Sequence, residues 1–215
     1  MTKADHVVLP RAARETLERL KLAHTPPSEN AAAKWAALDF NKAVAVAGSR
    51  TVTRDGLFAA LETGAMIADS GAALVTGGAR GVESLAIEAA LDCGGMVVVV
   101  LPCGLGVAWP PENAALYERV VAEGGMLVSS WAPTVRPTPS SFAARNDAVL
   151  ELAGRLIVVQ ADEQSGSMRA AHRAASKNMP IQAVRGLTPN ELAHPTFDVT
   201  WLDWDGKSLT VPADR

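Results

Sequence analysis

The stretch KAVAVAGSR, residues 42–50, decides how the rest of the chain is read. Ala43–Ala47 is a short apolar run rich in valine, with no polar residue interrupting it. A strand of that kind is buried on both faces, as in a parallel sheet covered by helices. It stops at Gly48-Ser49-Arg50, and an amphipathic segment carrying Leu57, Leu61, Ala65 and Ile67 follows as far as Gly71. The same unit then recurs. Ala72–Thr76 ends in Gly77-Gly78-Ala79-Arg80-Gly81, ahead of a predicted helix from about Val82 to Asp92. Met96–Leu101 ends at Pro102-Cys103-Gly104, with a helix near Pro110–Ala122. Met126–Ser129 is a fourth strand, and a Pro-rich loop from Pro133 to Pro139 leads to a helix around Phe142–Leu152. Leu156–Val159 ends at Ser165-Gly166-Ser167 before a helix over Met168–Lys177, and Ile181–Val184 is a sixth strand. Continuous apolar strands alternating with helices, joined by right-handed crossovers, predict an α/β fold. Its sheet is doubly wound, mostly parallel and Rossmann-like, with helices on both faces.

Outward from this core the pattern changes. Pro10–Leu22 places Ala13, Leu17, Leu20 and Ala23 at helical spacing, Pro26-Pro27 stops it, and Ser28 is positioned to cap a second short helix through Leu38. Phe197–Trp204 alternates large apolar and polar residues as an edge strand or hairpin would, closed by Asp205-Gly206 and returning as Ser208–Val211. The expected division is a helical extension over residues 1–40, the Rossmann-like core over 41–187, and a strand or hairpin tail over 188–215.

At 215 residues, 48% hydrophobic and 20% charged, the composition is that of an ordinary globular protein. A net charge of −3 argues against a uniformly basic coat, so any anion site must come from arginines placed in loops. Cys93 and Cys103 form neither a metal pair nor a disulfide framework, and both read as small apolar residues beside buried elements. The longest apolar run has a strand's length and no N-terminal apolar segment of signal type is seen, so the expectation is a cytoplasmic protein with no membrane span.

In an open parallel sheet, ligands bind where strand C-termini turn into helices. Three loops at that edge are rich in glycine and serine: Gly48-Ser49-Arg50, Gly77–Gly81 and Ser165-Gly166-Ser167. Glycine lets backbone approach closely, serine donates to anionic oxygens, and free N–H groups at a helix start point at an anion. Arg50 and Arg80 add possible bidentate contacts. For any single loop, a tight turn with a solvated arginine explains the residues equally well; three at one edge point to an anion pocket. No Gly-x-Gly-x-x-Gly with a following acid, no Walker loop and no Gly-x-Ser-x-Gly elbow occurs. His6, His24, His172 and His194 lack metal spacing, so neither a metal nor another cofactor is expected. Glu83 and Glu88 are read as helix-dipole residues rather than a catalytic pair, and no catalytic constellation is assigned.

The order of these motifs is specific. Gly48-Ser49-Arg50 is followed by Gly78-Ala79-Arg80-Gly81, then Cys103-Gly104-Leu105 with Trp109-Pro110-Pro111-Glu112-Asn113, then Phe142 with Arg145-Asn146, then Ser165-Gly166-Ser167. This series, over about Lys42 to Gly186, resembles the DNA-processing protein A family, also called Smf. The resemblance implies a non-enzymatic protein that binds single-stranded DNA without sequence preference, protects it during natural transformation, and loads a RecA-type recombinase while working as a homodimer. By position it implies phosphate contacts from Gly48, Ser49 and Arg50, from Gly78, Arg80 and Gly81, from Arg145 and Asn146, and from Ser165, Gly166 and Ser167. Asp147 stands where the family carries a cation, which removes a contact, adds repulsion and implies weaker binding. Val82-Glu83, Ala86-Ile87 and Ser129-Ser130 also depart from the family's pattern, and no flanking helix-hairpin-helix or winged-helix domain is recognised. Two other readings stand beside it: a nucleotide-binding or nucleotide-sensing protein related to the phosphoribohydrolases, whose catalytic glutamate loop is missing here, and an interaction protein using the terminal segments.

Overall fold

The apolar run at residues 43–47 lies at the centre of a nine-stranded sheet. The computed structural model describes residues 9–212; residues 1–8, with His6, and residues 213–215 lie outside it. In chain order the elements are α1 (Arg11–Arg19), β1 (Ala23–His24), α2 (Ala31–Ala36), β2 (Val44–Ala47), α3 (Arg54–Asp69), β3 (Ala73–Thr76), α4 (Val82–Asp92) and β4 (Met96–Val100). There follow α5 (Ala114–Ala122), β5 (Met126–Ser129), α6 (Pro139–Glu151), β6 (Arg155–Val158), α7 (Gly166–Ser176), β7 (Ile181–Val184), β8 (Val199–Trp204) and β9 (Leu209–Thr210).

The strand order is β1-β5-β4-β3-β2-β6-β7-β8-β9. After the edge strand β1, the chain starts the parallel sheet in the middle at β2, winds outward through β3, β4 and β5, then crosses back to pair β6 on the other side of β2 and winds outward again through β7 and β8. From β5 to β8 every pairing is parallel, while β1 and β9 close the two edges antiparallel. This is the doubly wound α/β arrangement expected from the alternation of strands and helices. Its winding direction reverses between β2 and β6.

Side chains alternate across the pleat, so each strand feeds both cores. Ala43, Ala45 and Ala47 of the central run face a cluster built with Val149 and Leu152 near α6 and Met168 and Ala171 of α7. Val44 and Val46 face the opposite cluster, with Ile67 of α3, Ile87 of α4 and Val120 of α5. The N-terminal helices share the first of these cores through Leu17 and the fully buried Trp35.

Some local readings are corrected. The two-residue β1, paired as Ala23↔Ser129 and His24↔Val128, carries no periodicity from which it could be predicted. Ser28 does not cap α2 with its side chain: α2 starts at Ala31, and only the Ser28 carbonyl contributes, accepting from Ala31 N at 3.1 Å. Cys103 is buried, but Cys93 is exposed at the end of α4. The tail does return on itself: Asp205 Oδ1 accepts from the N–H groups of Lys207 and Ser208, each at 2.8 Å, and Gly206 takes φ +90°. No helix among the described residues is long and apolar enough to cross a membrane.

Candidate functional site

A cleft of about 560 Å³ opens at the C-terminal ends of β2 and β6, at the point where the winding reverses. Open α/β sheets leave a crevice there because the helices following the two central strands lie on opposite faces. Its walls are the loop after β2, the start of the loop after β3, one face of α6, and the loop from β6 into α7.

One residue knits the β2 and β6 loops together. Ser49 N donates to the Gln160 carbonyl at 2.8 Å, and Gln160 Oε1 accepts from Thr53 N at 3.0 Å and Thr53 Oγ1 at 3.2 Å. Thr53 in turn caps α3, accepting from Gly56 N at 3.0 Å. The Gln160 amide lies over Gly56, where a Cβ would sit 1.8 Å from Oε1 and push the amide off Thr53. Gln160 lines the cleft, and sequence reasoning missed it; the available signal was a polar residue closing an apolar strand at the ligand-binding edge.

The floor is cationic and buried. Arg145 of α6 is only 7% exposed, its Nη1 lies 3.5 Å from Glu83 Oε2, and its Nε makes no hydrogen bond. The guanidinium occupies the space a side chain on Gly77 would need, with Nη1 1.0 Å from the Cβ position. Glu83 Oε2 also accepts from Ala79 N at 2.9 Å. Glu83 is therefore more than a dipole residue: it ties the loop after β3 to the buried arginine. The guanidinium is thus paired with one carboxylate, and the rest of its fork has donor capacity to spare beside the cleft.

Of the residues singled out in the sequence, Gly48, Ser49, Arg50, Arg145, Asn146, Ser165, Gly166 and Ser167 converge on this cleft. Ser165 caps α7 by accepting from Met168 N at 3.1 Å, and the N–H groups that open α7 have no acceptor within the helix. The helix dipole adds positive potential there. Arg50 and Arg169 stand exposed at the rim, while Glu83 and Asp162 supply negative charge.

Gly78, Arg80 and Gly81 stand apart from the cleft lining. Gly81, at φ +80°, lets the β3 loop press on the β2 loop, where a Cβ would sit 2.4 Å from the Ser49 carbonyl. Gly78, at φ +66°, turns its carbonyl toward Asn113 Nδ2 at 2.9 Å and the Tyr117 hydroxyl at 2.7 Å. Burial pushes the Tyr117 phenol well above its ordinary range. Arg80 is exposed and pairs with Glu112 at 3.4 Å. Two of the three glycines at this loop thus serve contacts between neighbouring loops. Asp147 does not face the cleft; it takes a bidentate pair from Arg173 of α7 at 2.7 and 2.6 Å, which holds its carboxyl below the usual range. His172 lies beside Glu191 at 2.9 Å and Phe197, on a different surface. No group of three or more His, Cys, Asp or Glu among the described residues is placed to hold a metal.

A doubly wound sheet with an arginine-lined crevice at its switch point defines a Rossmann-like protein. The chain belongs to the DNA recombination-mediator protein A family, whose model matches residues 18–197. It is 36% identical over 145 residues to a DNA-processing protein DprA of Mycobacterium tuberculosis, covering 67% of this chain and 37% of that protein. The chain therefore spans well under two thirds of that relative's length. Among solved structures it resembles Helicobacter pylori DNA processing protein A, whose single-stranded DNA binding mode was determined, with TM-score 0.71 and 26% identity over 93% of this chain and 87% of that one. Streptococcus pneumoniae DprA gives TM-score 0.63 at 29% identity, over 69% of this chain and 52% of that one.

Proposed function

We propose that this chain is a single-stranded DNA-binding module that serves DNA uptake or recombination, with the backbone of the strand lying in the switch-point cleft. The observation that carries this reading is Arg145, a buried guanidinium lining the cleft whose one ion pair is with Glu83. A phosphate in the cleft would accept from this guanidinium, with Ser167 and the start of α7 supplying neutral donors and Arg50 and Arg169 adding rim charge. Such contacts hold a sugar-phosphate backbone without reading sequence. Membership of the family supports the same ligand, as does the likeness to the Helicobacter protein. On this reading the chain acts by binding and not by catalysis, works in the cytoplasm as a homodimer, and delivers its strand to a RecA-type recombinase.

The second reading, a free-nucleotide site, is favoured by one observation: about 560 Å³ is the size of a small-molecule pocket. Titrating labelled oligo-dT and free nucleotides separately, at two salt concentrations, separates the two. Oligonucleotide binding that falls with salt is expected, with Arg50→Ala lowering the slope of log K against log salt by about one. Arg145→Lys, which keeps charge but loses the planar fork, is expected to weaken binding by roughly tenfold. Binding of mononucleotides alone, with no dependence on strand length, overturns the DNA reading.

A further inference from the structure

Trp109 is the most exposed tryptophan among the described residues, at 38%. A single exposed apolar side chain is ordinary on a protein surface. Three observations set this one apart. It sits in the loop after β4, on the same edge of the sheet as the cleft. Its loop is held in place from beneath, because the Tyr117 hydroxyl lies 2.8 Å from the Trp109 carbonyl and 2.7 Å from the Gly78 carbonyl. Asn113 Nδ2, in the same loop, donates to the Gly78 carbonyl at 2.9 Å, which ties the loop carrying the indole to the loop carrying Gly77. Third, a cation accompanies it: Glu112, close by in the same loop, holds the Arg80 guanidinium at 3.4 Å, with both side chains 60% exposed. An exposed pair of that kind contributes little and exchanges readily for a phosphate.

The strand order lines these features up. From the α7 start after β6, the path crosses Arg50 after β2, Arg80 after β3 and Trp109 after β4. Neighbouring strands lie roughly 4.8 Å apart, so this track spans on the order of 14 Å. It has no gap at the second step, because Gly81 packs directly on the carbonyls of Ser49 and Arg50.

Resting on the reading of the cleft as a single-stranded DNA site, we propose that Trp109 and Arg80 form a second nucleic-acid subsite outside it. The indole stacks on an unpaired base, and Arg80 exchanges Glu112 for the adjoining phosphate. The strand then leaves the cleft toward β4. Because only an unstacked base offers its face, this subsite favours single over double strands whatever the base.

The test measures affinity of the full chain for labelled oligo-dT of about 4 and about 16 nucleotides. Trp109→Ala is expected to weaken the longer oligonucleotide by roughly tenfold and to leave the shorter one within about twofold. Trp109→Phe, which keeps an aromatic face, is expected to restore most of the loss. Arg50→Ala, in the cleft, should weaken both lengths. If Trp109→Ala affects both lengths alike, or neither, the subsite is overturned while the Arg50→Ala result still judges the cleft. If Arg50→Ala affects neither length, the cleft reading fails. A change in solution mass on Trp109→Ala, without the length-dependent loss, makes the indole a protein contact and also overturns the proposal.

Discussion

Gly77 and Arg145 are one feature divided between two distant places in the chain. The glycine leaves the volume, the arginine fills it, and Glu83 keeps the guanidinium from leaving. Gly77→Ala puts a methyl group where Nη1 now lies, 1.0 Å from the Cβ position. No positive φ is needed there, so the backbone tolerates alanine and the flexible arginine must move. The expected outcome is a chain that still folds but binds oligo-dT roughly tenfold more weakly, the cost of losing one charge-assisted contact. Equilibrium binding alongside a thermal melt checks it, and full affinity in the Ala variant would show that the guanidinium is not used where it lies. Gly48 behaves differently. A Cβ there lies 2.4 Å from Val82 Cβ, a stiff neighbour on α4, so the same change would disturb packing first. The sequence made both glycines visible as loop residues. It could not show what each glycine accommodates, because Arg145 and Val82 come close only in the folded molecule.

At the level of elements, the loop-to-helix junctions were legible and their partners were not. The strand runs and the turn at Asp205-Gly206 follow from local chemistry and appear in the structure, whereas α7 starts two residues earlier than its apolar spacing suggested, with Ser165 as its cap. Gly78 and Gly81, read as sites of close ligand approach, admit a neighbouring loop in the structure, because glycine signals close approach without naming what approaches. Asp147 is a similar case. Read alone it repels phosphate; on the helix pair it neutralises Arg173 and, with Glu151 and Lys177, ties α6 to α7. Its carboxyl is held low first by the hydrogen bond from Arg173 and then by the charges of Arg173 and Lys177. A depressed carboxyl stabilises the folded state above the usual carboxylate range, and that contribution disappears as pH falls through its lowered value. Asp147→Asn is therefore expected to lower the melting temperature slightly at pH 7 and by less at pH 3, the effect being small because this exposed pair is screened by solvent. DNA affinity should change by less than about twofold, because the charge removed was already paired. Melting curves at the two pH values and one titration decide it, and a large gain in affinity would restore the repulsive role.

For the whole molecule, the doubly wound sheet could be read from period and punctuation alone, whereas the place of the first forty residues could not. Their helical spacing marks an apolar face without saying what that face covers. In the structure it covers the sheet: Trp35 is 1% exposed, donates from Nε1 to the Gly124 carbonyl at 3.1 Å, and shares a cluster with Met126 and Val128 of β5. Lys34 reaches the carbonyls of Gly95 and Glu123 at 3.1 and 2.6 Å, and burial lowers its ammonium below the usual lysine range. β1 covers the open edge of β5, which would otherwise present unpaired backbone groups to other chains. These contacts argue that residues 9–40 belong to one cooperative unit with the core and are not a detachable extension. Trp35→Ala removes a large buried side chain from a site that cannot collapse around backbone carbonyls, and is expected to cost about 3–5 kcal/mol. In denaturant the variant should unfold in one transition at a lower midpoint with an unchanged slope, since the loss falls on the whole domain. Two separated transitions, or early protease release of a fragment ending near Phe40 that leaves a folded core, would instead make the segment an independent unit.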